Sequence, residues 1–305
     1  MVKPKISFGQ ALGLVGVLVS IGLFIRSPSF PTPDKLIIFL IFVFMIFKQA
    51  IEGIRRFGAF VVLILIYESF RSVADQLNTH VDYWLAPHFD KLIFGNLPTT
   101  YLQNWLWHGH VQWYDLVLYL PYMLHFVIPL GLGILVWKTR DKYFWQIMNT
   151  YLVVAAAAFL TFLFFPAAPP WLAANNHHIQ PIVRISSDVW ASLGLHNFPS
   201  FYNLINPNLV AAIPSLHAAW ATLLAIFIYK LYGKAWAALA SLYPLIIFIG
   251  TVYEGEHYAF DIFVGVVYAV VGYLTAPHIV RYVKKLGLKI LNTGRQLKGL
   301  LPANR

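Results

Sequence analysis

Apolar runs of about twenty residues recur along the whole chain, and they limit its possible folds more than any other feature. A helix needs about 20 such residues to cross the hydrocarbon of a bilayer. The 305 residues are 59% hydrophobic and 11% charged, whereas soluble domains contain about 25% charged residues. The sequence therefore predicts an all-α integral membrane protein.

These runs predict eight transmembrane helices. The first follows a basic N-terminus, but it is too long for the apolar part of a signal peptide and no small-x-small cleavage site follows it. We therefore interpret it as an uncleaved helix. The chain divides into two N-terminal helices (1–56), a six-helix core (57–280) and a basic amphipathic cytoplasmic tail (281–305). The eight helices are placed near residues 8–26, 34–52, 57–74, 115–137, 146–166, 212–231, 235–252 and 258–280.

The positions of lysine and arginine indicate the orientation of these helices, because cytoplasmic loops carry an excess of both. With both termini inside, 17 of the 22 basic residues lie on the inner side. The net charge of +10 then reflects cytoplasmic loops and anionic lipid head groups rather than nucleic acid. The outer side holds only Arg26, Lys35, Arg71, Lys91 and Arg184.

Two long outer segments, 75–114 and 167–211, separate the predicted helices. The first is rich in Trp and Tyr, which is typical of segments at the head-group level. It either fixes the protein at the interface or helps to shape a substrate site. The chain has no cysteine, which excludes disulfides, thiol catalysis and Cys-ligated metals.

Four polar stretches fall at the outer ends of predicted helices. They are "YESFR" (67–71), "FPAAPPW" (165–171), "IPSLHA" (213–218) and "YEGEHYAFD" (253–261). Their position on one side of the membrane predicts that their side chains converge on one site.

Two of these stretches have the residue types of a phosphoryl-transfer site. His257 and Asp261 are four residues apart, which predicts one shared helix face. A carboxylate there can accept the Nδ1 proton and leave Nε2 more basic. Pro214 at the first helical position and Ser215 at the cap predict a helix start, whose free N–H groups attract anions. His217 would lie beside that anion as an acid or base.

Each feature also has a structural interpretation. A histidine at a membrane interface is often an ordinary polar residue, and a His and an Asp at this spacing can form a simple hydrogen bond. The prolines of "FPAAPPW" can end a helix. The long side chain of Arg71 can reach the membrane interface and keep its charged group in water. The functional interpretation depends on the coincidence of these features.

"PSLHA" followed by "HYAFD" resembles the second and third signature motifs of the type 2 phosphatidic acid phosphatase superfamily. The Leu within "PSLH", together with "FPAAPPW" and "YESFR", is similar to the branch that contains the inositol phosphorylceramide synthases and their bacterial relatives. The resemblance covers roughly residues 57–280, which it implies are the catalytic core. It also implies a bacterial inner membrane, at whose outer face the predicted orientation places the active site.

The resemblance implies a role for each motif residue. His257 would be the nucleophile that forms a phosphohistidine, and Asp261 would orient and activate it. His217 would protonate the leaving alkoxide and then deprotonate the incoming hydroxyl. No metal or organic cofactor is expected.

The sequence departs from the superfamily in its cationic residues. The arginine of the third motif would fall at Thr251, and the Lys and Arg of the first motif are also missing. Phosphoryl transfer needs cationic or N–H stabilisation of the phosphate oxygens. We therefore expect Arg71 to be the replacement cation, assisted by Ser215. The other candidates for substrate binding are Tyr67, Glu68, Glu256 and Trp171.

The leading hypothesis is a membrane phosphotransferase, which moves a phosphate-bearing head group from a lipid donor to a small polar hydroxyl acceptor. The alternative within the same fold is a lipid phosphate or polyprenyl diphosphate phosphatase with water as acceptor. A transporter or proton-coupled channel would distribute ionisable residues through the bilayer depth, whereas here they gather at one face. A metalloenzyme would use His217, His257 and Asp261 as ligands.

Overall fold

The computed structural model describes residues 6–28, 32–194 and 208–300, apart from the side chains of residues 33, 68, 71–76 and 290–300. In this part of the chain the protein is all-helical and has no strand; two isolated bridges pair Ala167 with Asp82 and Ala211. The α-helices are α1 (Phe8–Arg26), α2 (Pro33–Ile46), α3 (Ala50–Leu77), α4 (Leu85–Phe94), α5 (Pro98–Leu106), α6 (Trp113–Met123), α7 (Val127–Thr139), α8 (Phe144–Phe164), α9 (Pro170–Asn175), α10 (Ile185–Ser192), α11 (Leu216–Tyr232), α12 (Lys234–Ala240), α13 (Leu242–Tyr253) and α14 (Ala259–Leu300).

Several helices have the length and composition of membrane spans, which supports the predicted integral membrane class. Among the described residues, four segments qualify: Phe8–Arg26, Asp141–Phe164, Lys234–Tyr253 and Ala259–Lys289. A fifth is formed if α6 and α7 count as one broken span. Helices α2 and α11, with 14 and 17 residues, are shorter than the about 20 that a span needs. The number of eight spans therefore stays a prediction.

The predicted helix 115–137 is broken, because α6 and α7 meet at an angle of 59°. Pro129 lies in the first turn of α7. A proline ring clashes with the carbonyl four residues earlier, which here belongs to His125, so one straight helix cannot continue through this point. The break places His125 outside regular helix and near the predicted site.

The last helix differs from the prediction at its C-terminal end. The predicted helix 258–280 and the predicted amphipathic tail are one continuous helix, since α14 extends from Ala259 to Leu300. Its N-terminal half packs against α8 and α11. The chain from 281 to 300 therefore continues the final helix without a break.

The core of the bundle lies between α3, α7, α8, α11 and α14. Tyr151, Leu223 and Phe227 are fully buried in it, and Trp220 is 2% exposed. This packing brings the C-terminal ends of α8 and α13 together with the N-terminal ends of α11 and α14. Three of the four polar stretches lie at these ends, whereas "YESFR" lies within α3.

Candidate active site

The N-terminus of α11 forms one side of the site. Ser215 is the N-cap residue, and its side chain accepts a hydrogen bond of 3.2 Å from the Ala218 amide. The amide of Ser215 donates to the Asp261 carbonyl at 3.1 Å, which ties α11 to α14. Pro214 precedes the cap, so its predicted place at the first helical position is wrong. His217 lies in the first turn, as predicted.

The turn between α13 and α14 forms the opposite side. Gly255 adopts a positive φ of 78°, which a residue with a Cβ adopts only at a cost. The amides of Glu256 and His257 then both donate to the Thr251 carbonyl. Because α14 begins at Ala259, His257 lies before the helix, and the predicted shared helix face is wrong.

His257 and Asp261 nevertheless meet. The Nδ1 atom of His257 lies 3.4 Å from Oδ2 of Asp261, and the same oxygen accepts the Tyr258 amide at 2.8 Å. Asp261 is completely buried and His257 is 5% exposed. A carboxylate that faces Nδ1 favours the tautomer with its proton there, and it leaves Nε2 as the basic nitrogen.

His217 is the second imidazole of the site, and two further aromatic rings pack against it. Its ring centroid lies 5.8 Å from that of His257. Tyr122 stacks on one face at 4.3 Å, and His125 lies at 4.3 Å with a tilt of 44°. His125 in turn stacks on Trp220 at 4.5 Å. The sequence analysis missed Tyr122 and His125; a histidine four residues before a proline in an apolar run was the available signal.

A cavity of about 220 Å³ opens between these two sides, and it is far larger than a single water requires. Its polar wall contains both imidazoles, Glu256, Asn208 and Arg184. Its apolar wall includes Phe126, Phe162, Leu209 and Leu216. A cavity of this kind suits an amphipathic substrate with a charged group and an apolar part.

Among the described side chains, Arg184 is the arginine that lines this cavity, although it was predicted only as an outer-loop charge. Its Nε donates to Glu256 at 2.8 Å, and its guanidinium lies 4.1 Å from the centre of the Trp171 ring. Ser186 also donates to Glu256. Burial would lower the pKa of Arg184, but the Glu256 carboxylate outweighs this effect and raises the pKa above its ordinary value.

A second carboxyl group lies behind the site in the same turn. Glu254 is 1% exposed, and neither of its carboxyl oxygens has a hydrogen-bond partner among the described residues. Burial, together with the charges of Glu256 and Asp115, raises its pKa well above the ordinary value. The neutral form of Glu254 is therefore favoured, and Arg184 forms its ion pair with Glu256.

The remaining predicted residues have different outcomes. Tyr67 lines the cavity, whereas the side chains of Glu68 and Arg71 lie outside the described residues. Arg71 as the cation therefore stays a prediction. Thr251, at the position of the superfamily arginine, is buried and donates to the Ile247 carbonyl. In the described part of the chain, no three His, Asp or Glu side chains are grouped as metal ligands.

Comparison with known proteins found a matching family profile and curated relatives. Residues 90–275 match the sequence profile of the PAP2 superfamily. The phosphoinositol dihydroceramide synthase of Bacteroides thetaiotaomicron is 30% identical over 164 residues, which are 50% of this chain and 52% of that protein. The inositol phosphorylceramide synthase catalytic subunit aur1 of Schizosaccharomyces pombe is 23% identical over 265 residues, 79% of this chain and 57% of that protein. The chain thus spans just over half the length of these curated relatives. No solved structure matches it.

Proposed function

Because the chain belongs to the PAP2 superfamily, we propose that it is a membrane phosphotransferase, which moves a phosphate-bearing head group from a lipid donor to a hydroxyl acceptor. The observation that carries the proposal is the meeting of His217, His257 and Asp261 at one cavity, with ring centroids of the two imidazoles 5.8 Å apart. His257 faces the buried Asp261 carboxylate, which suits it to act as the nucleophile, and His217 lies beside it as the candidate acid and base.

The reaction has two steps. In the first, the Nε2 lone pair of His257 attacks phosphorus, the N–P bond forms, and the bond from phosphorus to the leaving alkoxide breaks. His217 gives its proton to that alkoxide, while Asp261 stabilises the positive charge on His257. In the second, His217 takes the proton of the acceptor hydroxyl, whose oxygen attacks phosphorus. The N–P bond breaks and His257 is restored.

The substrates follow from the cavity and from the relatives. The apolar wall of the cavity suits the tails of a lipid donor, and the polar wall suits its phosphate. Both curated relatives are named as synthases of inositol-containing ceramide lipids. We therefore infer an inositol phosphate head group as the transferred unit. The same two steps with water as acceptor would make the protein a lipid phosphatase.

The test uses purified protein and a donor lipid labelled in its phosphate. Without acceptor, a quench at neutral or alkaline pH should trap label on the protein, and His257→Gln should abolish that label. Adding an alcohol acceptor should move the label into a new lipid, whereas release as a water-soluble phosphate would identify the phosphatase.

Asp261→Asn is the most informative variant, because it keeps the volume of the side chain and removes the charge. Activity should fall by on the order of 10³–10⁴-fold while the protein stays folded. Turnover by His257→Gln at an appreciable fraction of the wild-type rate would show that the nucleophile is wrongly assigned.

A further inference from the structure

Arg184 lines the cavity of a chain whose superfamily motifs lack their usual lysine and arginine residues. It lies in the segment between α9 and α10, which belongs to neither of the two motifs. Its side chain and both imidazoles line the same cavity. Neither Thr251 nor any other residue of the third motif supplies a positive charge there.

Several contacts fix the guanidinium of Arg184 in place. Nε donates to Glu256, and the planar group lies over Trp171. The backbone just before it is also held, because the Gln103 side chain accepts the Val183 amide at 3.0 Å and donates to the Val183 carbonyl at 2.8 Å. A cation held this way loses little freedom when it binds a ligand.

The two terminal nitrogens of Arg184 remain available. Only Nε makes a hydrogen bond with the described part of the chain. A guanidinium has five N–H donors in a planar fork, and the terminal pair matches two oxygens of a phosphate. Glu256 accepts its hydrogen bond from Nε, so it does not occupy the two terminal nitrogens that would bind a substrate.

We propose that Arg184 binds the phosphate oxygens of the substrate through its terminal nitrogens, and that Glu256 and Trp171 are the positioning residues that orient it. The ligand class is a phosphate oxyanion, either the phosphodiester of a donor lipid or free phosphate. The inference rests on the proposed function for the source of that phosphate. The role of Arg184 in anion binding can be measured without any turnover.

The experiment measures the equilibrium binding of radiolabelled inorganic phosphate to the purified full-length protein in detergent. Arg184→Gln should raise the Kd roughly ten- to a hundredfold, as expected for a lost charge-assisted pair of hydrogen bonds. The Kd of Arg184→Lys should lie between those of the wild type and Arg184→Gln, because an ammonium group has the charge but not the planar pair of donors. Lys91→Gln is the matched control: Lys91 is an exposed cation on α4 outside the cavity, and its loss should leave Kd unchanged.

A folding control is needed because Arg184→Gln leaves Glu256 without its partner in a partly buried position. The double variant Arg184→Gln/Glu256→Gln removes both charges, and its Tm reports whether it is folded. It should also lose phosphate binding. A folded double variant with the wild-type Kd would overturn the proposal, as would a loss of binding in Arg71→Gln but not in Arg184→Gln.

Two further arms separate this proposal from the proposed function. A short-chain phosphodiester lipid that displaces phosphate from the wild type identifies the donor head group as the occupant, and a lack of displacement identifies free phosphate. If the wild type binds phosphate through Arg184 but transfers no head group, the proposed anion site stands and the proposed transferase function is refuted. Transfer activity with unchanged phosphate binding in Arg184→Gln would refute the anion site alone.

Discussion

Gly265 of α14 sets the distance between the two halves of the active site. A Cβ on this residue would lie 2.4 Å from the Ser215 carbonyl oxygen and 3.1 Å from the Ala218 Cβ. Ordinary contact begins at 3.4 Å, so Gly265→Ala must move α14 away from the α11 N-terminus by about 1 Å. The atom in the way belongs to the backbone, which cannot rotate aside.

The displacement acts directly on the catalytic geometry, because Ser215 and Asp261 are joined by the hydrogen bond between these helices. Overpacking of this kind costs roughly 1–3 kcal/mol of stability, and a misplacement of 1 Å costs on the order of 10²-fold in rate. We expect Gly265→Ala to lower both Tm and head-group transfer accordingly.

The assays are thermal unfolding in detergent and transfer of a labelled head group in membranes. Gly131→Ala is the matched control, because Gly131 lies in α7 and a Cβ there meets nothing within 4 Å. It should raise stability by roughly 0.5–1 kcal/mol, since alanine is the better helix former. Wild-type Tm and activity in Gly265→Ala would refute the close approach of α11 and α14.

Two other predictions concern α4 and the orientation in the membrane. Burial and the nearby Asp261 raise the pKa of Asp90 to about 6, although it accepts the amides of Ala259 and Phe260. Because the pKa of folded Asp90 lies above the ordinary 3.8, its protonated form contributes stability that is fully present below 3.8 and is lost as the pH rises through about 6. Tm should therefore fall between about pH 4 and 6 in the wild type and stay flatter in Asp90→Asn. For the orientation, Lys91→Cys should react with an impermeant thiol reagent from outside and Arg140→Cys should not; the reverse would overturn the outer-face site.

The hydropathy of the chain was sufficient to predict its class. Apolar runs interrupted by charges require helices in a bilayer, because unpaired backbone groups are costly in hydrocarbon. The predicted helix 146–166 agrees closely with α8 at Phe144–Phe164. The break within 115–137 was missed because hydropathy averages over a window and does not register the clash of Pro129 with one carbonyl.

The sequence by itself identified the candidate residues of the motifs: His217 after a capped helix start, and His257 four residues before Asp261. His257 and Asp261 are close in the chain, so local spacing predicts that these two meet. Only the tertiary structure decided that Arg184 lies in the same cavity. Its partner Glu256 is 72 residues further along the chain. The orientation of Arg184 towards Glu256 depends on the path of the segment between α9 and α10. Contacts between distant segments follow from the packing of helices, which no local pattern encodes.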